Sequence, residues 1–239
     1  MIRFYRRFLF LTILSMIIGM LIEFKGTAIV VFPDALSSGI PCDSSTLIAD
    51  FEARDALPES DIPQSDWYTK NWNNGWGPKA ATYPTVQIPA GCDPVKWKRD
   101  RVIAVARKYL GLRYQHHHIP GWNPPVKLTR QANESRGLDC SNFTAWVYNF
   151  SLGIRFTSDV QDQGDGAKAP GRRLAPNEPF APGDLLFILK QDRSEVSHVV
   201  IYINKRKIID SHRASNGVTE HEPKGWYKTH FAYARRIIE

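Results

Sequence analysis

Cysteine is scarce in this chain: three residues among 239, at positions 42, 92 and 140. At most one internal disulfide can form, and one thiol is then left over. Long hydrophobic runs are scarce too. The run from Phe8 to Ile22 holds 15 residues, broken only by Thr12, Ser15 and Gly19. A membrane-spanning helix needs roughly 20. There is no internal repeat and no low-complexity tract. No long basic stripe is interleaved with aromatics, so a nucleic-acid partner is not expected. Acidic residues are in deficit, 24 against 31 Lys and Arg, for a net charge of +7. The first 26 residues contribute +3 and the remainder +4. That balance suits an anionic polymer as partner, and it serves solubility equally well.

What is present begins with a targeting pattern. MIRFYRR is a basic leader to the apolar run, and Glu23 and Lys25 end that run. Residues 1–26 therefore read as a signal peptide, although no clean A-x-A site follows. The alternative is an uncleaved anchor lengthened by AIVVF. Either way the chain is expected to be exported, to the periplasm or cell envelope, with membrane contact only through this segment. In an exported chain Cys42 and Cys92, which flank a Pro- and Trp-rich stretch, are the candidate disulfide pair. The alternative is two unpaired buried thiols.

Residues 27–95 read as irregular, punctuated by Pro, Gly and Asn every few positions. Trp67, Trp72 and Trp76 argue against disorder and for an extended arm packed on a main domain, residues 96–239. There the texture changes. In DPVKWKRDRVIAVARKYLGL, Val102, Ile103, Val105, Ala106 and Leu110 fit an amphipathic helix that Gly111 stops. SNFTAWVYNFSLG carries Phe143, Val147 and Phe150 at helical spacing, and Gly153 can end it. Segments 184–189, 198–203, 207–213 and 231–237 read as strands with short connections. Helices followed by strands predict an α+β fold with an antiparallel sheet.

Cys140 falls in GLDCSNF, at the expected start of the second helix. Unsatisfied backbone N–H groups and the helix dipole favour a thiolate there, and the thiolate is the nucleophilic form. The midpoint of His198 and His212 is 205, the centre of the expected turn Asn204 to Arg206. In such a hairpin the two imidazoles face each other, with Cβ atoms about 5 Å apart. One can serve as base and the other as its orienter.

LDCSNFTAWVY, APGDLLFI, SHVVIYI and IIDSHR resemble, in order and spacing, the motifs of the NlpC-type family of bacterial cell-wall cysteine peptidases. GLRYQ resembles the tyrosine motif that precedes the nucleophile in that family. The likeness covers roughly residues 98 to 237. It implies a pared-down papain-like fold, a Cys-His-polar triad and no cofactor. It also implies peptidoglycan stem peptides as substrate, often cut between D-glutamate and a diamino acid. Carried over, Cys140 is the nucleophile, His198 the base and His212 the third member. Tyr114, Asp139 and Ser141 become substrate contacts, with Asp139 a candidate holder of a free amine and a helix N-cap at once. Two departures bear on specificity: Asn142 stands where the family has glycine, and QHHHIPGWNPP replaces a Gly-rich segment. His116, His117 and His118 cannot easily point one way, so a metal is not expected and a loop lining the cleft is. The alternatives are a cysteine amidase or acyltransferase on another acyl substrate, and a non-catalytic wall-binding protein.

Overall fold

The structure, a computed structural model, describes residues 42, 44–70, 72, 76–124 and 135–239. The expected signal peptide or anchor, residues 1–26, lies outside the described residues. The elements run α1 (Ser44–Asp55), α2 (Pro94–Lys108), α3 (Cys140–Leu152), α4 (Val160–Asp165), β1 (Arg172–Arg173), β2 (Leu185–Leu189), β3 (Val196–Asn204), β4 (Lys207–His212), β5 (Gly217–His221), α5 (Trp226–Thr229) and β6 (Phe231–Arg236). The strands form one sheet in the order β1-β6-β2-β3-β4-β5, and every pairing is antiparallel. The fold is α+β, with α2 and α3 packed on one face of this sheet and α5 on the other.

Each helix end has a local cause. Asp93 caps α2 by accepting from the N–H groups of Val95 and Lys96, with Pro94 at the first helical position. Asp139 caps α3 by accepting from Asn142 N–H at 2.9 Å. Gly153 ends α3 in the left-handed region, at φ 70°, where a Cβ would be strained. Between its ends α3 is buried on nearly every side, only Ala145 being less than fully covered. Such a helix belongs at the centre of a core. Phe143, Trp146, Val147 and Phe150 pack there with Val102 and Val105 of α2 and with Val199, Ile201 and Ile209 of the sheet. Leu186, Ile188, Val200, Ile208 and Ala234 alternate with these and form a smaller cluster on the other face.

The segment before α2 departs from its irregular reading, because α1 occupies Ser44–Asp55. The frequent breakers on either side of this short stretch masked it in the sequence. The segment is tied to α3 by polar contacts as well as packing. Asn149 Nδ2 donates to Ala81 O (2.7 Å), and Tyr83 N–H donates to Asn149 Oδ1 (3.1 Å). Tyr83 then packs against Trp146 and Phe150, with centroids 5.5 and 5.0 Å apart. Arg54 is 4% exposed and donates to the carbonyls of Phe150 and Pro84. At Gly77, φ is 74° and a Cβ would sit 2.5 Å from the buried Trp122 ring, so only glycine lets the chain pass there.

Cys42 and Cys92 are disulfide-bonded, with Cα atoms 5.6 Å apart, and Cys140 is free. The bridge closes a sequence separation of 50 residues. Alkylation without reductant is expected to label one thiol of three, at Cys140. Reduction should lower unfolding stability by about 4 kcal/mol in the chain-entropy account of a loop this long. Denaturant titrations of the oxidised and reduced protein check both statements.

Candidate active site

The hairpin β3–β4 sets the site. Ile201 pairs with Ile209 and Tyr202 with Ile208, so the same register brings His198 opposite His212. Their rings meet edge to face at 4.8 Å. The hydrogen bond expected between them goes elsewhere. His198 Nε2–H donates to Asp210 Oδ2 at 2.5 Å. Asp210 lies two residues along β4 from His212, on the same face, where an imidazole reaches diagonally across the pair. His212 instead accepts at Nδ1 from the N–H of Ala214 (3.2 Å). The orienting position assigned to His212 is thus filled by Asp210. Period-two alternation puts both residues on one face of β4, and register alone does not say which one the imidazole reaches.

Asp210 is fully buried and surrounded by donors. Besides His198, His221 Nε2 contacts Oδ1 at 3.0 Å, and the Tyr227 hydroxyl donates to Oδ2 at 2.9 Å. Burial would raise its pKa. The hydrogen bonds from His198 and His221 outweigh burial and hold the carboxyl well below the usual range. Burial would likewise lower His198. The charge of Cys140 and the Asp210 hydrogen bond outweigh it and push His198 up to about 10. His212 moves the other way, lowered by burial and then by the positive charge of His198. Cys140 and Asp210 together therefore keep His198 charged, while His212 is held towards the neutral form.

Cys140 opens α3, and its charge acts on His198. With Nε2 committed to Asp210, Nδ1 is the ring nitrogen left for the sulfur. Ser211, between Asp210 and His212, points to the opposite face of β4. Its hydroxyl donates to Leu138 O at 2.6 Å, two residues before Cys140. That contact pins the nucleophile loop to the strand that carries Asp210.

A cleft of about 360 Å³ opens over Cys140, walled by Trp76, Tyr114, His116, His118, Asp139 and Ser197, among others. Tyr114 stands in it as expected. Burial and then the Cys140 charge raise its pKa, so it remains a hydroxyl donor. Asp139 is 4% exposed, and both its oxygens are engaged. They accept from Asn142 N–H, Asn142 Nδ2 (3.0 Å), Ser141 Oγ (3.3 Å) and His116 Nδ1 (3.0 Å). An amine reaches Asp139 only by displacing His116, so the expected amine contact is closed in this arrangement. Ser141 lines the cleft, but its hydroxyl is turned to Asp139.

The three consecutive histidines diverge. His116 goes to Asp139 and His118 Nδ1 to Asn142 Oδ1 (3.1 Å), and Trp76 packs against both rings. His117 turns into the core against Trp122, and burial lowers its pKa to about 4. Asn142, the departure from the family pattern, is what joins His118 to Asp139. A larger cavity of about 680 Å³ lies against His212, His221, Trp226 and Tyr227. Cys140 does not line it.

Residues 128–236 match the model of the NlpC/P60 family. A gamma-DL-glutamyl hydrolase of Bacillus subtilis (strain 168) is 25% identical over 136 residues, which is 57% of this chain and 29% of the relative. The chain thus spans less than a third of that protein's length. Among solved structures, an NlpC/P60 family protein from Bacillus cereus ATCC 10987 is 26% identical, covering 65% of this chain and 42% of that one, with a TM-score of 0.46. The peptidoglycan hydrolase RipB from Mycobacterium tuberculosis is 22% identical, covering 64% and 69%, with a TM-score of 0.47.

Two outcomes follow from the Asp210 geometry. Asp210→Ala should lower turnover by about 10²–10⁴-fold, the usual worth of a positioned general base. His212→Asn should leave turnover within about tenfold on the same scale. Steady-state rates of the two variants on one substrate decide between the two residues. The second outcome concerns pH. The His198 pKa stands above its ordinary 6.5, at about 10. The folded state therefore holds an extra proton between those values. Its contribution to stability is complete below pH 6.5 and is lost as pH rises through about 10. Urea titrations across this window should show that decline in the parent, and a smaller one in Asp210→Asn.

Proposed function

We propose that this chain, whose residues 128–236 match the NlpC/P60 family model, is a cysteine hydrolase of γ-glutamyl bonds in peptidoglycan stem peptides. The observation that carries this reading is Cys140 at the first position of α3, beside a buried His198 held by Asp210. A thiol at a helix start, a base within reach and an orienter behind the base make a nucleophilic triad. The names of the relatives support the substrate class, one being a γ-glutamyl hydrolase and the other a peptidoglycan hydrolase.

In the mechanism, the imidazolium of His198 holds the proton given up by Cys140, and the sulfur attacks the carbonyl carbon of the scissile amide. The carbonyl oxygen becomes an oxyanion. The helix offers N–H groups for it at the right place. Asn142 N–H is bound by Asp139 Oδ1 and Phe143 N–H by Asp139 O, whereas the N–H groups of Cys140 and Ser141 have no partner within the helix. The Tyr114 hydroxyl, in the same cleft, is a further donor. Collapse of the intermediate breaks the C–N bond, and the leaving amine receives its proton from His198. Water, deprotonated by His198, then attacks the thioester. The products are a carboxylic acid and the restored thiol. Asp210 keeps its charge throughout and stabilises each imidazolium that forms.

The role of the terminal segments belongs to the same proposal. Residues 1–26 direct export, and the domain acts in the cell envelope. The test is incubation of the protein with purified peptidoglycan, followed by mass analysis of the released fragments. Fragments ending in a free γ-carboxyl of glutamate, with a matching new amine on the diamino acid, are expected. Cys140→Ala should fold normally and release none. Equal release by a folded Cys140→Ala protein would sink the triad, and cleavage at another bond would replace the substrate class.

A further inference from the structure

His198 protonates the departing amine, so the leaving half of the substrate lies on the histidine side of the cleft. The acyl half must extend the other way, past the start of α3. A second hollow of about 250 Å³ runs along the flank of α3 past Asn142, Ala145 and Asn149, and it shares His118 and Ser158 with the cleft over Cys140. Lys79 and Arg155 line this hollow, and no carboxylate does. Both are exposed, and among the described residues neither forms an ion pair. Arg155 is held through its side chain, and Lys79 through its backbone. Arg155 Nη1 donates to Thr82 Oγ1 (2.6 Å), and the Lys79 carbonyl accepts from Ser60 Oγ (2.7 Å). The larger cavity beyond the histidines also has lysines, but Lys190 pairs with Glu195 and Lys224 with Glu222. Its cations are already neutralised, and those of the smaller hollow are not.

We propose that Lys79 and Arg155 form a carboxylate-binding subsite for the acyl half of the substrate. The inference rests on the γ-glutamyl reading above. A glutamyl residue linked through its side chain keeps its α-carboxylate free, and that anion must be accommodated beside the scissile carbonyl. A guanidinium supplies a forked donor and an ammonium a point charge, which together suit a carboxylate. Lys79 lies outside residues 128–236, the part of the chain that matches the family. The segment before α2 thus contributes to specificity as well as to packing, through Trp76 over Cys140 and Lys79 beyond it.

The test reads binding alone, in the Cys140→Ala protein. Two ligands are compared by calorimetry: the γ-methylamide of L-alanyl-D-glutamate with its α-carboxylate free, and the same compound as its α-carboxamide. The free acid should bind about tenfold tighter, the scale of two partly exposed ion pairs. Adding Lys79→Gln and Arg155→Gln should abolish that preference, and Lys79→Glu with Arg155→Glu should reverse it. Both side chains are exposed, so the fold is expected to survive, and melting curves check this. Equal affinity for the two ligands, binding of neither, or an unchanged preference in the Gln variant overturns the subsite. Failure of the intact enzyme to cleave peptidoglycan would overturn the functional reading and leave this measurement standing.

Discussion

Twelve of the thirteen residues of α3 are buried, and little freedom remains for the atoms at its first turn. The helix is clamped between α2, the sheet and the segment around Tyr83. Its start is held by the Asp139 cap, and the Ser211 hydroxyl ties the preceding loop to β4. Cys140 is therefore placed by packing and by two hydrogen bonds, with no need of a flexible loop to bring it to His198. A nucleophile positioned this way loses little entropy on reaching its attack geometry.

The second determinant is electrostatic. Asp210 sits at zero exposure with three donors around it. A buried carboxylate without partners would be costly. Here it is kept charged, and that charge sustains the imidazolium of His198. Trp226 and Tyr227 of α5 pack on His198 at 5.5 and 5.8 Å and limit water around the ion pair. The same arrangement explains why His212, closer in register, is the poorer orienter. A second cation beside His198 would oppose it, and His212 is driven towards its neutral form.

The region before α2 changes the shape of the cleft. Trp76 packs on His116 and His118, and these two histidines engage Asp139 and Asn142. The acidic position beside the nucleophile is thereby occupied from within the chain. Beyond these residues, Lys79 and Arg155 place positive charge in the hollow that adjoins the cleft.

Local pattern in the chain sufficed for the α+β class, the two main helices and four of the strands, and it pointed to Cys140 and His198 as candidate nucleophile and base. These rest on periodicity, caps and turn position, which are local or nearly so. It also carried the hairpin register, because one turn sets the parity of both strands. Parity does not say which of two same-face residues an imidazole will reach. Only the tertiary structure separated Asp210 from His212, since the choice depends on His221 and Tyr227 arriving from β5 and α5 to satisfy the carboxylate. The short α1 and β5, the closing of Asp139 by His116 and the approach of Lys79 to the cleft were likewise beyond local pattern. Each of these contacts joins residues far apart in the chain, and the packing of the whole core decides whether they meet.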